Sequence, residues 1–201
     1  MIRILVAEDM RILRDTLVAV LKLEDDLDVV AAMETGDDVV STALAYRPDV
    51  AVIAVDLPST DGIVVAAELH ERLPECRTLI LTGSGRPGEL RRALAARVHG
   101  FIAKDAPVNE LIDAVRKVSA GVRAVDPQLA LAALDVEENP LSRREAEVLK
   151  QFSTGSGAAE IAAGLCLSYG TVRNYLASAV TKLNARNRVD AVRIATEAGW
   201  L

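Results

Sequence analysis

Cysteine and histidine are scarce in this chain, and membrane-length apolar runs are missing. Its 201 residues hold two cysteines, Cys76 and Cys166, and two histidines, His70 and His99. No CxxC pair and no histidine cluster occurs, which argues against a disulfide framework or a zinc site of ordinary spacing. Both cysteines are expected to act as small core residues. No stretch approaches the roughly 20 apolar residues needed to cross a bilayer, and the opening MIRILVAEDM reaches carboxylates too early for a signal peptide. The expectation is a cytoplasmic protein with no membrane partner. Internal repeats are absent, and 51% apolar residues suffice for an ordinary core in each half, so disorder is not expected.

The net charge of -6 is unevenly spread. Residues 1 to 122 carry 14 Lys and Arg against 20 Asp and Glu, residues 123 to 139 carry 1 against 4, and residues 140 to 201 carry 8 against 5. Only the last part is basic. That suits nucleic acid there and disfavours it over the first two-thirds.

The first 120 or so residues alternate short β-branched runs with longer amphipathic segments, the pattern of a parallel sheet wrapped by helices. The runs are IRILVA, DVVAAME, DVAVIAV, RTLILT and GFIAK, and helices are predicted near 10–24, 36–46, 60–72, 88–97 and 107–120. Five such units give an α/β doubly wound, five-stranded parallel sheet. A linker over 122–140 follows, in which VDPQLALAALDVEENP contains a short helical patch and an acidic end. Strand alternation then stops. Four helices are predicted, at 142–153, 158–165, 169–183 and 188–198, with Ser142 and Glu145 as a capping box and Ser168 opening the third.

Open parallel sheets bind ligands at the carboxyl ends of their strands, near the point where strand order reverses. The residues expected there are Glu8 and Asp9 after the first strand, Ala54, Val55 and Asp56 at the third, Thr82 at the fourth and Lys104 at the fifth. Adjacent carboxylates suit a hard cation such as Mg2+. A hydroxyl and an ammonium facing them suit phosphoryl oxygens. Taken singly, each acid also fits a helix cap or a solvated loop. Gly83-Ser84-Gly85-Arg86-Pro87-Gly88 matches GxGxxG literally, but it follows the fourth strand and contains a proline, so a loop is the better reading than a dinucleotide site.

The combination of the acidic pair, Asp56-Leu57-Pro58-Ser59-Thr60-Asp61-Gly62, Thr82, Phe101 and Lys104 resembles the response-regulator receiver family, over roughly residues 1–121. The resemblance implies a flavodoxin-like fold and a Mg2+ site at Glu8, Asp9 and the backbone carbonyl of Asp56. It also implies switch roles for Thr82, Phe101 and Lys104, and a sensor histidine kinase as phosphoryl donor. At one position the sequence departs from the family. Counting back from Pro58 and Gly62, the phosphoacceptor aspartate belongs at 54, where Ala54 stands. A methyl group forms no acyl phosphate. Asp56 lies roughly 6 to 7 Å further along a strand, too far for the same in-line geometry. Two readings follow: an introduced aspartate-to-alanine change, or a natural receiver that works without phosphate.

Residues 141–201 resemble the LuxR-type helix-turn-helix, through Leu141-Ser142-Arg143-Arg144-Glu145-Ala146-Glu147-Val148-Leu149, Gly155, Glu160-Ile161-Ala162, Leu167-Ser168, Thr171-Val172-Arg173, Leu176, Lys182-Leu183 and Arg188. With the receiver, the whole resembles the NarL/FixJ class. That implies a helix over 169–183 in the major groove, with Thr171, Arg173, Asn174 and Tyr175 near bases or phosphates and Lys182 and Arg188 at phosphates. It further implies a DNA-bound homodimer, RNA polymerase as a partner, and a regulator rather than an enzyme. Gly157-Ala158-Ala159 replaces a polar-basic pair common in the family and forgoes one phosphate contact. Competing functions are a phosphate-independent pseudo-receiver regulator under ligand or partner control, and a small α/β phosphatase-like enzyme using Glu8, Asp9 and Lys104. The enzyme reading lacks a nucleophile at Ala54 and leaves residues 141–201 without a role.

Overall fold

A computed structural model describes residues 1–83, 87–125, 130 and 139–201. It divides into two compact units, the first comprising Met1–Gly85 and Leu90–Ala130 and the second Arg86–Glu89 and Leu131–Leu201. The GxGxxG stretch over 84–86 and the expected linker helix over 126–129 and 131–138 lie outside the described residues.

In the first unit, strands β1 (Ile2–Ala7), β2 (Leu27–Met33), β3 (Val50–Ala54), β4 (Arg77–Thr82) and β5 (Gly100–Ala103) alternate with helices α1 (Arg11–Leu21), α2 (Val39–Tyr46), α3 (Gly62–Arg72), α4 (Pro87–Ala95) and α5 (Val108–Ser119). All strand pairs are parallel, in the order β2-β1-β3-β4-β5-β6. The two-residue strand β6 (Ala124–Val125) corrects the expected five strands to six. It pairs Ala124 with Gly100 and Val125 with Phe101, and so draws residues assigned to the linker into the sheet. Two residues carry no readable period.

The central strand β3 is apolar throughout, and β1 and β4 largely so, because both faces of the sheet are covered. Alternate residues Ile4, Val6, Val50, Val52, Leu79 and Leu81 pack with Leu17 and Leu21 of α1 and Leu111, Val115 and Val118 of α5. The intervening residues Leu5, Ala51, Ile53 and Ile80 are equally buried and point to the opposite face, where α2 and α3 lie against the sheet. Each large aliphatic side chain removed from water contributes roughly 1.5–3 kcal/mol.

The described residues of the second unit form helices α6 (Arg143–Ser153), α7 (Ala158–Gly164), α8 (Tyr169–Lys182) and α9 (Arg188–Glu197). Val148, Leu149, Ile161, Val172, Leu176, Ala179, Ala191 and Ala195 make its core, with Trp200 packed against it. The capping box forms as expected: Ser142 Oγ accepts from the Glu145 amide at 3.3 Å, and Glu145 Oε2 accepts from the Ser142 amide at 2.6 Å. One cysteine departs from expectation. Cys76 is buried, which pushes its thiol up to about 12, whereas Cys166 is exposed. The turn after α7 closes by a bond from the Leu167 amide to the Ala162 carbonyl, and Cys166 takes the left-handed conformation it needs (φ 54°), which turns the side chain to solvent. No helix among the described residues is long and apolar enough to cross a membrane.

Candidate functional site: the sheet edge and the exposed helix face

Strand order reverses between β1 and β3, so the carboxyl ends of these strands open the crevice where such sheets bind ligands. Register fixes what meets there. Ala7 pairs with Ile53, Ala54 with Leu81, and Thr82 with Ala103, so Glu8, Ala54, Thr82 and Lys104 end four adjacent strands. The Lys104 amide donates to the Thr82 carbonyl at 2.7 Å and holds the last two together. Ala54, Thr82 and Phe101 are buried.

Glu8 is the unusual member, with 0% of its side chain exposed. Its Oε1 accepts from Lys104 Nζ at 2.9 Å and from the Met10 amide at 3.1 Å, while Oε2 is buried without a hydrogen-bond partner. A buried carboxylate oxygen left in this way is costly and suits a cation. Asp9 lies at the rim with its Oδ1 3.8 Å from the same ammonium, and Asp56 is exposed. Arg14 Nη1 donates to the Glu8 carbonyl at 2.8 Å and to the Asp9 carbonyl at 3.3 Å, fixing the backbone that presents both acids. Among the described residues no cluster of three or more His, Cys, Asp or Glu side chains assembles, so a cation here would need backbone oxygen and water as well.

The loop after β3 is fastened at both ends. The Gly62 amide donates to the Val55 carbonyl at 2.9 Å, and Asp61 Oδ1 caps α3 by accepting from the Ile63 amide at 2.8 Å. The second Asp61 oxygen pairs with Arg92 of α4. Gly62 is required by space: a Cβ there would lie 1.9 Å from the Ala54 carbonyl oxygen.

In the second unit, Val172, Leu176 and Ala179 turn one stripe of α8 inward. Tyr169, Arg173, Asn174, Ala177 and Thr181 are left exposed, with the Arg173 guanidinium 5.9 Å from the centre of the Tyr169 ring. Ser168 caps the helix, its Oγ accepting from the Thr171 amide at 3.0 Å and bonding the Thr171 hydroxyl at 2.8 Å. Tyr175 and Arg188 are half-buried. Lys182, expected at phosphate, has its ammonium on Glu145 Oε2 at 2.7 Å.

Residues 4–116 match the response regulator receiver domain, and residues 139–195 match the bacterial regulatory proteins of the luxR family. The chain is a two-component response regulator. It is 40% identical to the transcriptional regulatory protein DesR of Bacillus subtilis over 200 residues, covering 100% of this chain and 99% of DesR. It is 43% identical to the response regulator RamR of Streptomyces coelicolor, covering 100% and 98%. The crystal structure of the response regulator ChrA, from a heme-sensing two-component system, superposes with a TM-score of 0.59 at 30% identity, covering 100% and 98%. The first unit is thus a receiver domain and the second a LuxR-type DNA-binding domain.

Within the receiver domain the fold gathers Glu8, Asp9, Ala54, Thr82 and Lys104 at one sheet edge, with Asp56 two residues beyond β3. Phe101 sits one strand-face away in the core of β5. Sequence reasoning missed Arg14 and the Asp61–Arg92 pair, because an arginine on a helix carries no sign of the carbonyl or carboxylate it will meet.

Proposed function

We propose that this response regulator controls transcription as a DNA-bound homodimer, and that its receiver carries a phosphorylation site whose acceptor position is Ala54. In this form the chain does not accept a phosphoryl group there. The observation that carries the reading is the set at the sheet edge: a buried carboxylate with one oxygen unpartnered, an ammonium already drawn to it, a buried threonine, and a methyl group at the end of the central strand between them. Glu8, Asp9 and the backbone carbonyl of Asp56 would hold Mg2+, and the orphaned Glu8 Oε2 fits a hard cation. When bound, the ion would lower the charge cost of a phosphoryl group at the strand ends. Thr82 and Lys104 are assigned to phosphoryl oxygens, and Phe101 to sensing the change.

Residues 1–121 act as receiver, 122–140 as connector and 141–201 as DNA reader in this scheme, with a sensor histidine kinase as input, RNA polymerase as output and the cytoplasm as location. Thr171, Arg173, Asn174 and Tyr175 are assigned to bases or neighbouring phosphates and Arg188 to phosphate. Ala54→Asp in the full chain should restore labelling by acetyl phosphate and strengthen dimerisation. If Ala54→Asp takes no label in the presence of Mg2+, the assignment of the site is wrong. A phosphate-independent receiver is favoured by a different observation, namely that Lys104 is already paired with Glu8 without an acceptor carboxylate. Operator binding by both forms, indifferent to acetyl phosphate, would establish that alternative.

A further inference from the structure

The DNA-binding domain has a buried charge that the assignments above leave without a role. Glu145 is 5% exposed, in a helix whose first turn it also caps. Its two oxygens take three donors from two helices. Oε2 accepts from the Ser142 amide at 2.6 Å and from Lys182 Nζ at 2.7 Å, and Oε1 accepts from Ser178 Oγ at 2.6 Å. Ser178 and Lys182 continue the i, i+4 row of Asn174 along α8 to the flank that meets α6, where Ser178 is half-buried and Lys182 keeps 41% of its side chain exposed while its ammonium rests on Glu145. One carboxylate on α6 therefore grips the C-terminal half of α8 along its flank, at two points.

We infer that Glu145 is a positioning residue for DNA recognition: it clamps α8 to α6 and holds Lys182 as an internal counter-ion, so that this lysine does not neutralise a DNA phosphate. The inference rests on the DNA-reading role of α8 and replaces the phosphate role that sequence gave Lys182. A buried carboxylate stripped of its cation is strongly destabilising, whereas an exposed phosphate contact is readily given up to water and counter-ions. The internal pair therefore wins. Arg173 and Arg188, which have no carboxylate partner within ion-pair distance among the described residues, are left to supply the phosphate charge.

Glu145→Gln tests this, because glutamine preserves the cap acceptor and the bond to Ser178 while removing the charge that retains Lys182. The measurement is anisotropy of a labelled non-specific duplex titrated with the full chain between 50 and 200 mM salt. Each phosphate neutralised adds about 0.9 to the slope of log K against log salt. Glu145→Gln should steepen that slope by about 0.9, an extra loss of roughly 3.5-fold across the range. Adding Lys182→Met to it should return the parent slope. Trp200, the chain's one tryptophan, reports in the same samples that the domain is folded.

A second measurement needs no substitution. The chain has five lysines, so their ammonium nitrogens can be assigned by NMR, and the Lys182 signal should not move when duplex is added. An unchanged slope in Glu145→Gln, or a Lys182 signal that shifts on binding, would overturn the Glu145 assignment while leaving DNA binding intact. Failure of the unmutated chain to bind any duplex would overturn the DNA reading of α8 and this inference with it.

Discussion

Gly62→Ala is a sharp test of the receiver site, because two effects of known size oppose one another. Gly62 opens α3, and alanine in a helix is favoured over glycine by up to about 1 kcal/mol. Propensity alone would make the variant more stable. The structure predicts the reverse. An added Cβ would lie 1.9 Å from the Ala54 carbonyl oxygen, 2.9 Å from its carbon and 3.0 Å from Ile53 Cγ2. To restore ordinary contact the carbonyl must retreat by roughly 1.5 Å, and it belongs to the last residue of a fully buried strand. Overpacking of this kind costs typically 1–3 kcal/mol, and here the obstacle is backbone, which cannot rotate away. With a rigid backbone obstacle placing the cost in the upper part of that range, about 2–3 kcal/mol, a net loss of about 1–2 kcal/mol is expected, lowering the receiver transition by roughly 3 °C or more. Scanning calorimetry of the full chain measures it, with Trp200 emission identifying the separate transition of the DNA-binding domain. The same displacement should slow acetyl phosphate labelling of an Ala54→Asp background about 100-fold, since an error of about 1 Å in a reacting group costs that much. A Gly62→Ala protein as stable as its parent, labelled at the parent rate in that background, would refute the close approach.

Two further predictions concern buried carboxylates. Lys104→Met leaves the fully buried Glu8 carboxyl without its cation, so the receiver should lose about 3–5 kcal/mol, measured as its urea transition by circular dichroism; a loss under about 1 kcal/mol would mean that another group compensates. In the DNA-binding domain, burial on its own would push Glu145 up, but bonds from Lys182, Ser178 and Ser142 outweigh it and hold the group at about 2, against 4.5 for a free side chain. A depressed carboxyl stabilises the fold above its unfolded value, and this contribution is lost as pH falls from about 4.5 through about 2. Trp200 emission against urea at a series of acid pH values should follow that window, and Glu145→Gln should flatten it.

Legibility followed period length. The strands IRILVA and RTLILT match β1 and β4 residue for residue, because a run buried on both faces reads as a nearly continuous apolar stretch with its charged residue near the start. The helix starts at Ser142 and Ser168 were equally legible, since a hydroxyl before an amphipathic run satisfies an otherwise orphaned amide. β6 escaped notice because two residues define no alternation. Cys166 was misjudged because residue type argued for burial while the turn geometry decided the direction. At the sheet edge, strand ends were enough to assemble Glu8, Ala54, Thr82 and Lys104. The sequence did not disclose that Lys104 would meet Glu8, or that Glu145, recognised as a cap, would spend its second oxygen and its charge on α8. Those contacts lie between elements far apart in the chain, and only packing creates them.

The short strand β6 has a practical consequence for any attempt to study the receiver domain by itself. A polypeptide ended at residue 121, the boundary that composition suggests, would leave the outer edge of β5 bare, with the His99 carbonyl losing the Ala124 amide that now donates to it at 3.0 Å. An unpaired edge recruits other strands, so such a fragment should self-associate through that edge and mimic a regulated dimer. A fragment that runs past Val125 keeps Gly100 and Phe101 paired and presents only a two-residue strand at that edge, which disfavours association through it.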